Sequence, residues 1–411
     1  MSARFSFVYP TRHRPEFIRQ ALRILETQRH DNFEVVVCDN YVDPALSCEQ
    51  ICRNSSLPNL RYVRPPRPVG MVENWNHALP FATGDYVSYL TDKMFVLPDA
   101  LGHIERAIDS AGGPEIVSWT SDAFNPASYA DYFGDGQYFV LSSGIRPGLY
   151  RRFSPAEELN RRGRGEVSRG EQGSSEYCRG KLVFGAYRRE LVQGIVKRYG
   201  ALFHNISPDY TSLVLGLSEA RDAIELAASC VVSVNTDISN GMLCDSDDTA
   251  ALAFLNSLAG GAERILPRML VPGLYVSLHN WVAHDFLTLK ETFDLPFEFS
   301  PANWLVYCSE DINRPDRQWS DARIEAEQKR LLSLFIESLD TTVVAAIRLR
   351  IAARAARAVD AASAAAKQSR PSLRRLLPRR WQRPTTLRFP SIQAAVERSV
   401  AGRSGADVQG S

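Results

Sequence analysis

The first 120 residues alternate short apolar runs with amphipathic stretches, and that alternation admits few folds. Residues 4–9 are apolar, β-branched and aromatic and stop at Pro10, which reads as a buried strand running into a loop. Residues 15–27 follow, with Phe17, Ile18, Leu22, Ile24 and Leu25 at helical spacing and Pro15 suited to a first turn. Residues 33–38 make a second apolar strand that ends in Asp39-Asn40. Strand, helix, strand in that order is a βαβ unit, and its crossover makes the two strands parallel. The pattern recurs as strand 60–63, helix 71–79, strand 86–90, helix 98–110 and strand 115–119. The expected fold class is α/β, a Rossmann-like mixed sheet flanked by helices. In open sheets of this kind ligands bind beyond the carboxyl ends of the strands. Thr11, Arg14, Asp39 and Asp92 stand at such ends.

A chain of 411 residues that is 45% hydrophobic and 23% charged can bury a large core and reads as an ordinary globular protein. Its seven cysteines are scattered and lack CxxC spacing, so they are expected to be reduced thiols in a cytoplasmic protein. There is no signal-peptide-like apolar stretch at the start, and no window approaches the ~20 apolar residues of a spanning helix. Membrane contact, if any, is expected from the surface. His279 and His284 lie five apart on an apparent helix, the wrong spacing for two metal ligands on one face. Neither a phosphate-cradling P-loop nor a Gly-x-Ser-x-Gly elbow occurs, and those enzyme classes drop out.

Three segments carry the chemistry. The first strand ends in Pro10-Thr11-Arg12-His13-Arg14, the second in Cys38-Asp39-Asn40, and Gly84-Asp85-Tyr86-Val87-Ser88-Tyr89-Leu90 runs into Thr91-Asp92 with Pro98 beyond. In this order and at these spacings, residues 3–245 resemble glycosyltransferase family 2 with its GT-A fold. The resemblance implies transfer of a sugar, with inversion, from a nucleoside diphosphate sugar such as a UDP-sugar. The acceptor it implies is a hydroxyl of a glycan or lipid-linked glycan, as in polysaccharide biosynthesis. Residue by residue, it assigns Pro10, Thr11 and Arg14 to the nucleotide and Asp39 to its base. Gly70, Asn74 and Asn76 match the segment that leads into the donor-site strand, where Gly lets backbone come close and Asn reaches the nucleotide. Packing roles for Asn74 and Trp75 stand beside that reading.

The departure comes at Asp92-Lys93-Met94. The family commonly places two or three Asp here to hold Mg²⁺ or Mn²⁺ against the diphosphate. One carboxylate and a lysine leave two readings open. Either Lys93 itself offsets the charge that develops on the leaving group, or Asp92 alone holds the divalent metal with water. For the general base that an attacking hydroxyl needs, the resemblance points to Asp209 in Ser207-Pro208-Asp209-Tyr210, where an N-terminal helix-capping role competes. His204 and the run Ser239-Asn240-Gly241 are weaker candidates for the same site.

The remaining chain reads as appendages to a domain over 1–245. Residues 121–180 are rich in Gly, Ser, Arg and Tyr, show little periodicity, and suggest an insertion or flexible lid. Residues 246–340 read as a helical C-terminal extension and 341–411 as a basic, partly disordered tail. From Val344 to Pro390 twelve Arg or Lys residues accompany a single acid, Asp360. A helix over 343–359, with Trp381 and its arginines beyond, suits an anionic membrane surface; a solvated tail is the competing reading. Nucleic acid is not expected, because no aromatic platform is interleaved with the arginines. A non-catalytic nucleotide-sugar-binding scaffold with a degenerate metal motif is the alternative to an enzyme.

Overall fold

The computed structural model describes residues 5–140, 149–167, 174–239, 241, 244–245, 247–314, 319–337 and 386–397. The parallel half of the sheet forms as the apolar runs dictate. Strands β1 (Phe5–Thr11) and β2 (Phe33–Asp39) are buried at every position, as strands covered on both faces are. They pair in parallel, Phe5 opposite Phe33 and Thr11 opposite Asp39. β3 (Leu60–Val63) joins β2, and β4 (Tyr86–Tyr89) joins β1, both in parallel. The crossovers contain α1 (Pro15–Leu25), α2 (Glu49–Arg53) and α3 (Met71–Ala78). The residues that follow β1, β2 and β4 therefore emerge at one edge of the sheet.

The opposite edge is tied by a buried acid. Glu34 accepts hydrogen bonds from Ser6 Oγ at 2.6 Å, Thr83 Oγ1 at 2.9 Å and the Gly84 amide at 3.1 Å. A side chain at Gly84 would put its Cβ 2.8 Å from the Phe5 backbone, so the glycine of that sequence motif serves strand packing.

Beyond β4 the sheet becomes mixed. In chain order come β5 (Met94–Val96), α4 (Ala100–Ala111), β6 (Ile116–Ser128), β7 (Asp131–Phe139), β8 (Tyr150–Phe153), α5 (Pro155–Gly163) and α6 (Ser175–Cys178). Then follow β9 (Gly185–Arg188), α7 (Arg189–Tyr199), α8 (Pro208–Glu219) and β10 (Ala223–Val234). β9 lies antiparallel between β4 and β6, so β6 points the same way as β4, and β10 pairs with β6 in parallel. β5 and β8 flank β10 in antiparallel fashion. Because α8 packs on the sheet and a short connection returns it to β10, it runs antiparallel to that strand. Its N-terminus lies at the edge where β1, β2 and β4 end. Phe203, just before α8, stacks 4.7 Å from Tyr89 at the end of β4 and 5.2 Å from Trp75, which fixes that proximity.

Residues 121–180 depart from the irregular segment the sequence suggests. Their described parts hold most of β6, all of β7 and β8, and two helices. Charge rather than apolar periodicity orders them: Arg162 and Arg179 bond Glu158, and Arg179 bonds Glu225, with all four side chains under 8% exposed.

Helices α9 (Asp248–Asn256), α10 (Gly261–Ile265), α11 (Leu278–Phe293), α12 (Pro301–Ile312) and α13 (Asp321–Glu337) complete the C-terminal region. Val282, Ala283, Phe286 and Leu289 of α11 share one apolar core with Val8, Val36 and Val87 of the sheet. The helical region is thus packed onto the sheet domain.

The basic tail contains an unexpected piece of the fold. β11 (Thr386–Phe389) pairs antiparallel with β7. Phe389, Ile392, Ala395 and Val396 then enter the same core as Phe7, Phe17 and Ile18. Four strand residues with Arg388 among them give no periodic signal within so basic a composition. The amphipathic helix expected over 343–359 and the segment around Trp381 lie outside the described residues. Among the described residues no helix is long and apolar enough to cross a membrane.

Candidate active site

The carboxyl edge of the sheet is organised around Asp92. Thr11 Oγ1 donates to its Oδ2 at 3.1 Å and Arg14 Nη1 to its Oδ1 at 2.9 Å. Arg14 occupies the N-cap position of α1 without capping it, since a guanidinium has no acceptor for the helix amides, and it reaches across to Asp92 instead. The turn that aims it passes through His13, which holds φ at 58°, a left-handed conformation that costs a non-glycine residue energy. The His13 ring is held in turn, its Nε2 accepting the Val42 amide at 2.8 Å. Arg14 Nη2 also donates to the Ile238 carbonyl at 2.5 Å, and the Val234 amide donates to the Lys93 carbonyl at 2.9 Å. The loop after β1, the end of β4 and the loop after β10 are one assembly.

The side chains of Arg14 and Asp92 are 19% and 7% exposed, so their ion pair is largely desolvated. Lys93 is half-buried; burial lowers its ammonium pKa, and the neighbouring Asp92 opposes that shift. The hydroxyls of Thr91 and Thr236 are buried without a hydrogen-bond partner.

Asp39, at the end of β2, has two unlike oxygens. Its Oδ2 accepts the Cys48 amide at 2.7 Å, the Tyr62 hydroxyl at 3.1 Å and the Ser47 hydroxyl at 3.4 Å. Its Oδ1 is buried with no partner. Burial raises the carboxyl pKa, and the three donors and Arg64 only partly counter it. A buried acceptor left open is costly, and a ligand N–H would satisfy it.

Asp209 is the second residue of α8, with its side chain 30% exposed and Oδ2 3.5 Å from Lys181 Nζ. The approach to α8 is pinned from α11, where Asp285 accepts the amides of Ile206 at 3.2 Å and Ser207 at 2.7 Å. Ser207 occupies the cap position, so Asp209 is not the N-cap.

Parallel strands ending in Thr11 to Arg14, in Asp39 and in Asp92 have a counterpart among known proteins. Residues 6–133 match the family model of glycosyl transferase family 2. The fold is GT-A-like, as the motifs imply. No curated protein matches the chain. Among solved structures, S. aureus TarS is 17% identical with a TM-score of 0.42, covering 82% of this chain and 53% of that one. This chain therefore spans about half of that TarS chain. The TarS 1-349 structure in complex with UDP-GlcNAc is 15% identical with a TM-score of 0.43, covering 84% and 92%. At such scores the likeness adds nothing to what the strands and the family match establish.

Within the matched segment, Thr11, Arg14, Asp92 and Lys93 stand together, with Pro10 buried one residue before the end of β1. Asp39 lies on the same edge. Asn74 and Asn76, assigned to the nucleotide from sequence, spend their side chains on the scaffold. Asn74 bonds Cys38 in both directions, and Asn76 exchanges two bonds with the Phe203 backbone, at 2.8 and 3.2 Å. Gly70 is a close approach, but to protein: a Cβ there would meet the Ser257 carbonyl at 2.6 Å. His204 is partly buried against Phe293 and bonds the Ala201 carbonyl. Ser239 is buried, and Asn240 lies outside the described residues.

A cavity of about 200 Å³ opens on this edge between the start of α3 and the approach to α8, lined by Glu73, Asn205, Arg264, Arg268 and His284 among others. Asn205 turns with φ at 51° and leaves its Nδ2 buried without a partner.

The donor set at Asp92 does not fit a divalent cation. Both carboxylate oxygens are already engaged, one by a guanidinium, and the next side chain is an ammonium, whereas Mg²⁺ or Mn²⁺ needs hard, free oxygen ligands. The described residues contain no group of three or more His, Cys, Asp or Glu able to hold a metal.

Sequence reasoning missed Lys181, Asp285 and the His13 turn. Asp285 had a signal: it falls on the helix face of Val282, Phe286 and Leu289, which marks a buried acid. Lys181 and His13 had none.

Proposed function

We propose that this chain is an inverting glycosyltransferase that moves a sugar from a nucleoside diphosphate sugar to a hydroxyl of a glycan or lipid-linked acceptor. The observation that carries this reading is the open, buried oxygen of Asp39 on the same edge as the Thr11–Arg14–Asp92 cluster. Asp39 Oδ1 accepts an N–H of the base, as uracil N3–H offers. Thr11 and Arg14 line the way from base to diphosphate. Arg14 and Lys93 supply the positive charge that a departing diphosphate requires, in place of a metal. Asp209, at the start of α8 on that edge, takes the proton of the acceptor hydroxyl as it attacks the anomeric carbon. The acceptor enters beside the cavity under α10 and α11.

Two measurements test this. A thermal-shift screen of nucleoside diphosphates should stabilise the protein with UDP to the same extent in Mn²⁺ and in EDTA. UDP release from a UDP-sugar should be abolished by Asp209→Asn while UDP binding persists. The engaged state of Asp92 favours one other reading, a nucleotide-sugar-binding scaffold. UDP binding with no UDP release from any donor, with and without metal, would establish that reading instead.

A further inference from the structure

Lys181 lies between α6 and β9, and its backbone is fixed on both sides. Its amide donates to the Cys178 carbonyl at 3.0 Å, and the preceding Gly180 is held by Ser118 Oγ at 2.8 Å and by the Tyr187 hydroxyl at 2.6 Å. The side chain is 0% exposed, and its Nζ has no hydrogen-bond partner. It rests between two ring faces, 3.8 Å from the Tyr177 centroid and 3.7 Å from that of Tyr210. Among the described residues, the single carboxylate in ion-pair reach is Asp209, 3.5 Å away. An ammonium stripped of water is costly unless compensated. Here two cation–π contacts and one half-exposed carboxylate do the compensating.

We propose that Lys181 is a positioning residue for Asp209, its buried ammonium holding that carboxylate from beneath and aiming it at the acceptor hydroxyl. The inference rests on Asp209 being the general base. When Asp209 takes the acceptor proton, the pair passes from neutral to a net positive charge. Tyr177 and Tyr210 keep the ammonium in place at that moment, because attraction to a ring face does not depend on the carboxylate. Among the described residues, the other titratable groups that bear on the pair are Asp285 on α11, whose carboxyl pKa burial raises well above the ordinary range, and Arg162 behind Lys181. A negative Asp285 would oppose the effect of Lys181 on Asp209. The buried lysine outweighs it by standing in direct contact.

The test uses the full chain and its Lys181→Met, Lys181→Arg and Asp209→Asn variants, with UDP release from a UDP-sugar measured. For Lys181→Met, donor KM should stay within about twofold while kcat falls. The fall should be about 100-fold, the cost of a catalytic group displaced by about 1 Å. Lys181→Arg should restore most of kcat. A folded Lys181→Met protein with kcat within twofold of native would overturn the proposal. Coupling is reciprocal, so Asp209→Asn, which strips Lys181 of its counter-charge, should bind UDP normally and unfold at a lower temperature. Equal unfolding temperatures for Asp209→Asn and the native chain would overturn the proposal even if Lys181→Met failed to fold. Full activity in Asp209→Asn would instead refute the assignment of the base, which is a separate failure.

Discussion

Replacing Asp39 by Asn exchanges one oxygen of the site for an amide nitrogen and removes its charge, with the shape of the side chain kept. Three donors converge on Oδ2, from Cys48, Tyr62 and Ser47. An asparagine can keep its carbonyl oxygen there and still accept from them. Its amide nitrogen then takes the place of the open, buried Oδ1. A base N–H that met a carboxylate oxygen now meets another donor. A hydrogen bond to a charged group contributes about 1.5–3 kcal/mol, so the dissociation constant of UDP should rise about 10- to 150-fold. Isothermal titration of UDP reads this directly, with the unfolding temperature of the free protein as a control. N3-methyl UDP supplies the second arm of a double-mutant cycle. It should bind the native chain far more weakly than UDP and lose little more on the variant. UDP affinity within twofold of native in a folded Asp39→Asn protein would refute the reasoning, and so would equal loss of both ligands. The pH dependence has a definite sign. Burial raises the pKa of this carboxyl, so UDP affinity should begin to fall on acidification at a higher pH than an ordinary aspartate would give, and Asp39→Asn should lack that limb.

Three further outcomes can be measured independently. Gly70→Ala places a Cβ 2.6 Å from the Ser257 carbonyl, a backbone atom that cannot rotate away, and should cost about 1–3 kcal/mol, read as a lower melting temperature. For Asp285 the raised pKa means that its contribution to stability is fully present below the unfolded value and is lost as pH rises through the folded one. Asp285→Asn should therefore be least stable relative to the native chain in acid and recover toward neutral pH, as urea titrations at several pH values would show. Ending the chain at residue 385 removes Phe389, Ile392 and Val396 from the core they share with Phe7, Phe17 and Ile18, each worth about 1.5–3 kcal/mol of burial before ordering costs, and frees the edge of β7. Such a chain should melt earlier and self-associate on a sizing column.

The parallel strands were legible because burial on both faces writes itself as unbroken apolar runs, as in Phe33 to Cys38. The residues just past those runs were then legible by position alone, and Thr11, Arg14 and Asp92 meet where the topology puts them. Asn74 and Asn76 were misjudged because composition does not distinguish an amide aimed at a ligand from one latching α3 to the Cys38 and Phe203 backbones. Residues 150–167 and 174–180 were illegible for a different reason. Their order comes from Glu158, Arg162, Arg179 and Glu225 pairing out of water, and buried ion pairs look in sequence like solvated surface. Asp92 shows the limit most sharply. Its loss of acidic neighbours could be read directly, but the guanidinium closing its oxygens arrives from a residue 78 positions away.

The pairing of β11 with β7 also bears on the order in which the protein is made. Phe389, Ile392, Ala395 and Val396 cover apolar surface contributed by Phe7, Phe17 and Ile18, residues made long before them. Until residues 386–396 have been synthesised, that surface lacks this cover. The parallel strands can assemble early, since their partners are near in sequence, yet the domain they form has to wait for β11, far downstream, to be sealed. A chain stalled before β11 would thus display a sticky face on its first strands and helix, which is the feature chaperones and quality-control proteases recognise in incomplete products.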